Sequence, residues 1–163
     1  MEMGAASADE DQGLPMEINR DAPATAAGEL HIDADPQTVF AVLSAIDQWP
    51  SWNPDVKSIR LQGPVQPGTT FRWKAGPGSI TSTLQVVDPP HELAWTGTTM
   101  GIRAVHVFRL QPSEDGTLAR SEESWEGLPA RLLKGYSRRT LEEGIRSVLS
   151  YLKAEAERRA AAP

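Results

Sequence analysis

Three polar residues on two neighbouring predicted strands have the types and spacing for proton transfer. His106 lies two residues before Phe108, while Ser121 and Glu123 alternate with Trp125. Side chains two residues apart share a face of a strand, so all three polar groups point inward if the two aromatic rings do. A hairpin between the strands then places His106 roughly opposite Ser121, with Glu123 at the diagonal position.

The pair formed by His106 and Glu123 has two interpretations. A carboxylate near an imidazole in a dry pocket raises the pKa of the imidazole, and such a pair can serve in proton transfer. The alternative is structural, with His106 as a hydrogen-bonded interior residue and Glu123 as a cavity group that pairs with water or an arginine. The structural interpretation is preferred, because perturbed groups mark functional sites only statistically. A register slip of one residue would turn both side chains to solvent.

Composition excludes several other kinds of chemistry. The chain has no cysteine, which removes disulfides, thiolate metal sites and cysteine nucleophiles. Its three histidines, His31, His91 and His106, lack the spacing of metal ligands, so no metal site is expected. No phosphate-binding glycine loop is present, and residues 76–78 are typical of a hairpin turn. No cofactor is expected either.

The charge of the chain limits its partners. A net charge of −6 argues against binding nucleic acid and gives no electrostatic reason to bind anionic membranes. No run of about 18–20 apolar residues is present, so no membrane insertion is expected. The first residues lack the basic and apolar blocks of a signal peptide, and a cytoplasmic location is expected.

The elements that position these residues follow from composition and turn signals. Residues 1–23 are rich in Ala, Gly, Asp, Glu and Pro, so we expect a disordered tail before a domain of residues 24–160. A strand is predicted to about residue 33. Asp35 and Pro36 then start a helix, because the carboxylate accepts from free N–H groups and proline lacks one.

Six further strands and a long helix complete the chain. Alternating apolar residues bounded by turns predict strands over residues 56–62, 69–75, 79–87, 92–97, 102–110 and 117–126. The last segment is predicted to be helical to about residue 159, with Leu141, Ile145 and Leu149 on its apolar stripe. These elements predict an α+β fold, in which a curved antiparallel sheet of about seven strands wraps a long C-terminal helix. One or two short helices follow the first strand.

The long helix also carries a basic stripe near its start, formed by Arg131, Lys134, Arg138 and Arg139. Such a stripe is usually a solvated helix face. The alternative is that it borders a cavity mouth and attracts an acidic ligand or a carrier protein.

Five local sequences occur along the chain in a specific order. They are Ala34-Asp35-Pro36 with Val39-Phe40, Trp49-Pro50-Ser51-Trp52-Asn53-Pro54, and the segments at 88–95, 106–110 and 116–127. From about Thr25 to Ala156 this order resembles the START-like (SRPBCC) superfamily, the polyketide cyclase/dehydrase and lipid-transport group. The resemblance implies a helix-grip fold with a ligand cavity between the long helix and the sheet. It is more specific for fold than for function, because this fold hosts many activities.

Within this implied cavity, strand alternation selects the lining residues. Trp73, Trp95 and Trp125 are expected to form walls that stack on a planar ligand, and Trp49 and Trp52 to plug one end of the grip. The full set of expected ligand-binding residues is Phe71, Trp73, Trp95, Met100, Phe108, Ser121, Trp125, Leu132 and Tyr136.

The resemblance implies two functions. In the preferred one, a monomer without a cofactor binds a hydrophobic aromatic or polycyclic molecule of the polyketide type. Binding would serve sequestration, transport or self-resistance in a producer of reactive natural products such as enediynes. In the alternative, the protein is a polyketide cyclase, aromatase or dehydratase, and His106 and Glu123 transfer protons.

Overall fold

The computed structural model describes residues 15–163, in which strands and helices follow in the expected order. The strands are β1 (Ala24–Ile32), β2 (Val56–Leu61), β3 (Thr70–Ala75), β4 (Gly78–Asp88), β5 (Glu92–Thr99), β6 (Ile102–Ser113) and β7 (Gly116–Glu126). The helices are α1 (Pro36–Ser44), α2 (Trp49–Trp52), α3 (Leu128–Leu132) and α4 (Lys134–Ala160), with one turn of 3-10 helix at Ile46–Gln48.

All seven strands belong to one antiparallel sheet, in the order β1-β7-β6-β5-β4-β3-β2. The sheet curves around α4, and the α+β helix-grip fold predicted from the sequence is confirmed. None of the helices within residues 15–163 combines the length and apolarity needed to cross a bilayer.

The first helix starts where the sequence predicts. The Asp35 Oδ1 atom accepts a hydrogen bond from the backbone N–H of Thr38 at 2.7 Å, and Pro36 occupies the first turn. This cap fixes the start of α1, whose buried face includes Val39 and Leu43. The helix therefore closes over the inner face of the sheet beside α4.

The long helix packs closely on β1. Its buried stripe includes Leu141, Ile145 and Leu149. At Gly28 of β1 the two elements are so close that a Cβ atom would lie 2.9 Å from Cγ2 of Ile145. The helix begins at Lys134, later than predicted, because the short helix α3 intervenes after the sheet.

The hairpin between β6 and β7 is tighter than predicted. The strand β6 is predicted to end at residue 110, but it continues past Pro112 to Ser113. The strand β7 begins at Gly116, so a two-residue turn joins the two strands. The pairing of the two strands shifts by two residues, which keeps the same side chains on the inner face.

Residues 15–23 contact the outer face of the sheet. Ile18 is buried in a small apolar cluster there, and the backbone N–H of Met16 donates to Oε1 of Glu92 at 2.9 Å. The predicted disordered tail, residues 1–23, is therefore wrong for residues 15–23, because one apolar side chain and several hydrogen bonds hold them. Residues 1–14 lie outside the described residues.

Candidate ligand-binding site

One end of the inner face is closed by aromatic rings, and we call it the closed end. The ring centroid of Trp49 lies 5.7 Å from that of Phe71 and 5.3 Å from that of Trp95. Phe108 lies 5.7 Å from Trp95 in a stacked arrangement. The indole N–H of Trp49 donates to the carbonyl oxygen of Leu43 at 2.9 Å. Trp49 thus fills the interior, and these rings contact one another.

The opposite end of the inner face is open, and we call it the open end. Several of its inward-facing side chains are only partly buried, whereas those of the closed end are buried. The partly buried set is Trp73, Ile80, Ala104, Glu123 and Trp125. Beside Trp125 the floor is made of small residues, since Trp125 pairs with Ala104 and Ala104 pairs with Gly97. Trp73 lies across this floor from Trp125 and also contacts Trp49, with ring centroids 5.7 Å apart.

Between the two ends lies the polar group predicted from the sequence. His106 pairs directly with Glu123 across the strands, and Ser121 pairs with Phe108, so the predicted pairing of His106 with Ser121 is wrong by two residues. The three polar side chains still meet, as their shared face requires. The Nε2 atom of His106 lies 2.8 Å from Oγ of Ser121, and its Nδ1 atom lies 3.5 Å from Oε2 of Glu123.

Burial shifts the two titratable groups in opposite directions. Loss of water lowers the pKa of His106 from 6.5 to about 3. It raises the pKa of Glu123 from 4.5 to about 7, against the opposing effect of a hydrogen bond from Trp125. The raised histidine pKa predicted from the sequence is wrong, because desolvation by burial disfavours the charged imidazole. Near pH 7, Glu123 is the member of the pair that can exchange a proton.

The indole N–H groups differ in their partners. Trp125 donates to Oε1 of Glu123 at 2.9 Å, and Trp73 donates to Oγ of Ser82 at 3.0 Å. Ser82 is buried and was not predicted, although its position on β4 pairs it with the strand of Trp73. The Nε1 atom of Trp52 is buried without an acceptor among the described residues. A donor of this kind is rare, because an unpaired buried N–H costs about 1–3 kcal/mol.

Three predicted ligand contacts lie at the edge of the open end rather than inside it. Met100, Leu132 and Tyr136 are 68%, 72% and 70% exposed. Leu128 and Leu133, which the sequence analysis missed, are exposed beside them. The missed signal was a run of leucines between the last strand and the apolar stripe of the long helix.

The remaining histidines lie at the surface, as expected. His31 lies 3.2 Å from Asp33, and His91 lies 3.5 Å from Asp88. Within the described part of the chain, no three side chains of His, Asp or Glu come together as a metal site.

A separate groove of about 750 Å³ runs outside the grip along β1. The backbone of β1 and the exposed side of α4 form its walls, and it carries both acidic and basic side chains, including Arg146, Glu142 and Arg120. Its mixed charge distinguishes it from the aromatic open end.

A family model described as polyketide cyclase / dehydrase and lipid transport matches residues 23–157. The chain belongs to this family. The START-like resemblance stated above is thereby confirmed, over nearly the same residues. No curated protein matches the chain.

Solved structures share the fold of this polyketide cyclase/dehydrase family member at low sequence identity. The di-domain aromatase/cyclase StfQ from the steffimycin biosynthetic pathway is 16% identical, with a TM-score of 0.74 over 85% of this chain and 52% of that chain. The Zhui aromatase/cyclase from Streptomyces sp. R1128 is 16% identical, with a TM-score of 0.70 over 85% and 96%. A START superfamily protein from Mycobacterium smegmatis is 15% identical, with a TM-score of 0.67 over 83% and 98%.

Proposed function

We propose that this protein binds a planar, hydrophobic aromatic or polycyclic molecule of the polyketide type at the open end of the grip. The observation that carries the proposal is the partial exposure of Trp73 and Trp125, two inward-facing indoles on opposite sides of a floor that includes Gly97 and Ala104. Aromatic walls around a small-residue floor favour a flat ring system, because stacking adds to the burial of apolar area.

The polar groups of the site fit oxygen substituents on such a ligand. Glu123 has a raised pKa, so its protonated carboxyl group can donate to a carbonyl or quinone oxygen. Sequestration, transport or self-resistance is the role that binding would serve.

Catalysis of a cyclisation or dehydration is the second candidate function, and the raised pKa of Glu123 favours it. A carboxylate with a pKa near 7 can remove a proton from the carbon between two carbonyl groups of a poly-ketone chain. That carbon then attacks a second carbonyl, and the protonated Glu123 returns its proton to the resulting alkoxide. The carboxylate then removes the second proton of the same carbon and delivers it to the new hydroxyl group, which leaves as water as the carbon–carbon double bond forms. His106, neutral and 2.8 Å from Ser121, would hold the carboxyl group in place rather than titrate.

Titration of tryptophan fluorescence tests the binding proposal. A planar tetracyclic hydroxyquinone is expected to quench the emission, and Trp73→Leu and Trp125→Leu are each expected to weaken binding by roughly tenfold, because each removes a stacking surface. Arg72→Gln, on the outer face beside Trp73, is the matched control and should bind as the parent does. The proposal fails if both tryptophan variants bind like the control.

A second experiment, with a poly-ketone precursor, distinguishes binding from catalysis. Incubation with an aromatic poly-ketone precursor, followed by mass spectrometry for the loss of water, detects turnover. If turnover is found and Glu123→Gln abolishes it while binding persists, the protein is a cyclase. If the precursor binds and is recovered unchanged, the catalytic candidate is excluded.

A further inference from the structure

The open end carries a surface that ligand binding inside the grip does not explain. Five large apolar side chains project into solvent around it, and no other large apolar side chain in the described part of the chain is exposed. We call this surface the apolar rim, and its members are Met100, Leu128, Leu132, Leu133 and Tyr136. Their exposed fractions run from 57% to 72%. Exposed apolar side chains that are clustered rather than scattered indicate a contact surface.

The rim is continuous because its two segments touch. One segment is the turn between β5 and β6, and the other runs from α3 into the start of α4. A Cβ atom at Gly127 would lie 2.1 Å from the carbonyl oxygen of Gly101, and one at Gly101 would lie 3.5 Å from the ring of Pro129. Such close approach holds the turn and α3 in one surface.

Met100 has an unfavourable backbone conformation as well as an exposed side chain. It has a φ of 49° and precedes Gly101, which has a φ of 78°. Two successive positive φ angles are typical of a tight hairpin turn, in which asparagine, aspartate or glycine is the residue of least strain. A methionine in this position is unfavourable both for its backbone and for its exposure. An unfavourable backbone conformation combined with an exposed apolar side chain points to a function for that side chain.

Basic side chains surround the rim, although the chain as a whole has a net charge of −6. Residues 128–140 contain Arg131, Lys134, Arg138 and Arg139 and no acidic residue. All four are exposed, and none forms a salt bridge with another described residue. This segment is therefore positively charged, whereas the expectation that the protein does not bind anionic membranes rests on the negative net charge of the whole chain.

We propose that the apolar rim docks on an anionic lipid bilayer. Leucine, methionine and tyrosine side chains flanked by lysine and arginine are typical of segments that lie in the membrane interface. Separate protruding side chains can enter a fluid bilayer without a matching pocket, which a folded protein partner would have to supply. Docking in this orientation turns the open end toward the lipid. An apolar ligand then passes between the bilayer and the grip without crossing water.

Sedimentation with lipid vesicles tests the proposal on the full chain without any ligand. Binding is expected to vesicles that contain phosphatidylglycerol, to be absent with phosphatidylcholine alone, and to weaken as salt is added. Leu132→Ser with Leu133→Ser, and Lys134→Gln with Arg139→Gln, are each expected to weaken binding by about tenfold or more. The matched control is Arg72→Gln with Lys74→Gln, which removes the same charge from the outer face of β3 and should leave binding unchanged.

Three results would overturn the proposal. The first is no binding to anionic vesicles at low salt by a protein whose melting temperature shows that it is folded. The second is that the β3 control variant weakens vesicle binding as much as the rim variants do, which would show that binding depends only on the overall charge of the protein. The third is that the rim variants leave vesicle binding unchanged but abolish binding of an acidic acyl carrier protein or self-association in light scattering. Ligand titration of the tryptophan variants needs no vesicles, so failure of docking and failure of the proposed ligand site are distinguishable.

Discussion

Burial favours the neutral forms of both His106 and Glu123, and the two groups make the stability of the fold depend on pH in opposite directions. The pKa of Glu123 is raised from 4.5 to about 7 in the folded state, so its contribution to stability is complete below pH 4.5 and is lost as the pH rises through 7. The pKa of His106 is lowered from 6.5 to about 3, so its contribution is complete above pH 6.5 and is lost as the pH falls toward 3. Between pH 4.5 and 6.5 the two slopes largely cancel.

Replacement of Glu123 by glutamine removes its contribution to the pH dependence of the unfolding free energy and leaves only that of His106. At pH 8 we expect Glu123→Gln to raise the free energy of unfolding by about 1–3 kcal/mol, because the amide carries no charge to desolvate. Its oxygen can still accept from the indole N–H of Trp125, which donates to the carboxyl group at 2.9 Å. Urea unfolding at pH 5 and pH 8 checks the difference. A variant less stable than the parent at pH 8 would contradict the raised pKa.

Ser121 holds the imidazole through a bond that no water can replace. Its Oγ atom lies 2.8 Å from Nε2 of His106, and the serine is fully buried. Ser121→Ala is expected to cost about 1–3 kcal/mol of unfolding free energy, because a buried nitrogen loses its partner. Ser82→Ala is the control, since its partner Trp73 is partly exposed whereas His106 is buried. Equal losses of unfolding free energy in the two variants would show that the loss in Ser121→Ala does not come from the burial of His106.

At the scale of strands and helices, periodicity predicted most of the fold. Alternation fixed which face of each strand points inward, and this survived an error in the hairpin between β6 and β7. The pattern predicts the end of β6 at residue 110, but Pro112 lacks only one N–H and the strand runs past it to Ser113. Because the register differs from the prediction by two residues, His106, Ser121 and Glu123 still share one face of the sheet. The residue directly opposite His106 is Glu123 rather than Ser121.

Other features of the elements could not be predicted because they depend on tertiary contacts. Residues 15–23 contain few large apolar residues, and the patch that Ile18 covers holds them to the sheet together with hydrogen bonds such as that from Met16 to Glu92. The raised pKa of Glu123 and the lowered pKa of His106 depend on how much water the fold excludes. A sequence pattern shows that the groups are near each other, but it does not measure their desolvation.

The N-terminal segment also covers an ion-pair network on the outer face. Arg109 lies 3.0 Å from Glu122 and 3.4 Å from Glu92, two buried carboxylates. Arg109→Ala is expected to cost roughly 2–4 kcal/mol in denaturant unfolding, because both carboxylates lose a cation, although Arg120 still reaches Glu122 at 3.1 Å. The comparison variant is Arg158→Ala, whose exposed ion pair should contribute little to stability. A loss at Arg109 no larger than this would mean that the network is effectively solvated.

At the scale of the whole molecule, the grip is asymmetric, with a packed closed end and an open end. The closed end is built from Trp49, Phe71, Trp95 and Phe108, which are part of the buried apolar core. The open end is bordered by the short helix α3 and the turn between β5 and β6, whose large side chains are exposed. Local opening is easiest where buried apolar contacts are few, so the molecule combines a rigid scaffold with a deformable mouth.

Hydrogen exchange measured by mass spectrometry should detect this asymmetry and locate the ligand. Without ligand, amides of α3 and of the β5–β6 turn are expected to exchange faster than those of β6, β7 and the buried part of α4. A planar polycyclic ligand at 100 times its Kd stabilises the folded state by about 2.7 kcal/mol, and it should slow exchange most at the open end. Arg72→Gln should behave like the parent, and Trp125→Leu should lose most of the protection. If the ligand instead protects residues 25–30 of β1 and the facing turns of α4, the groove along β1 is the binding site and the open end is not.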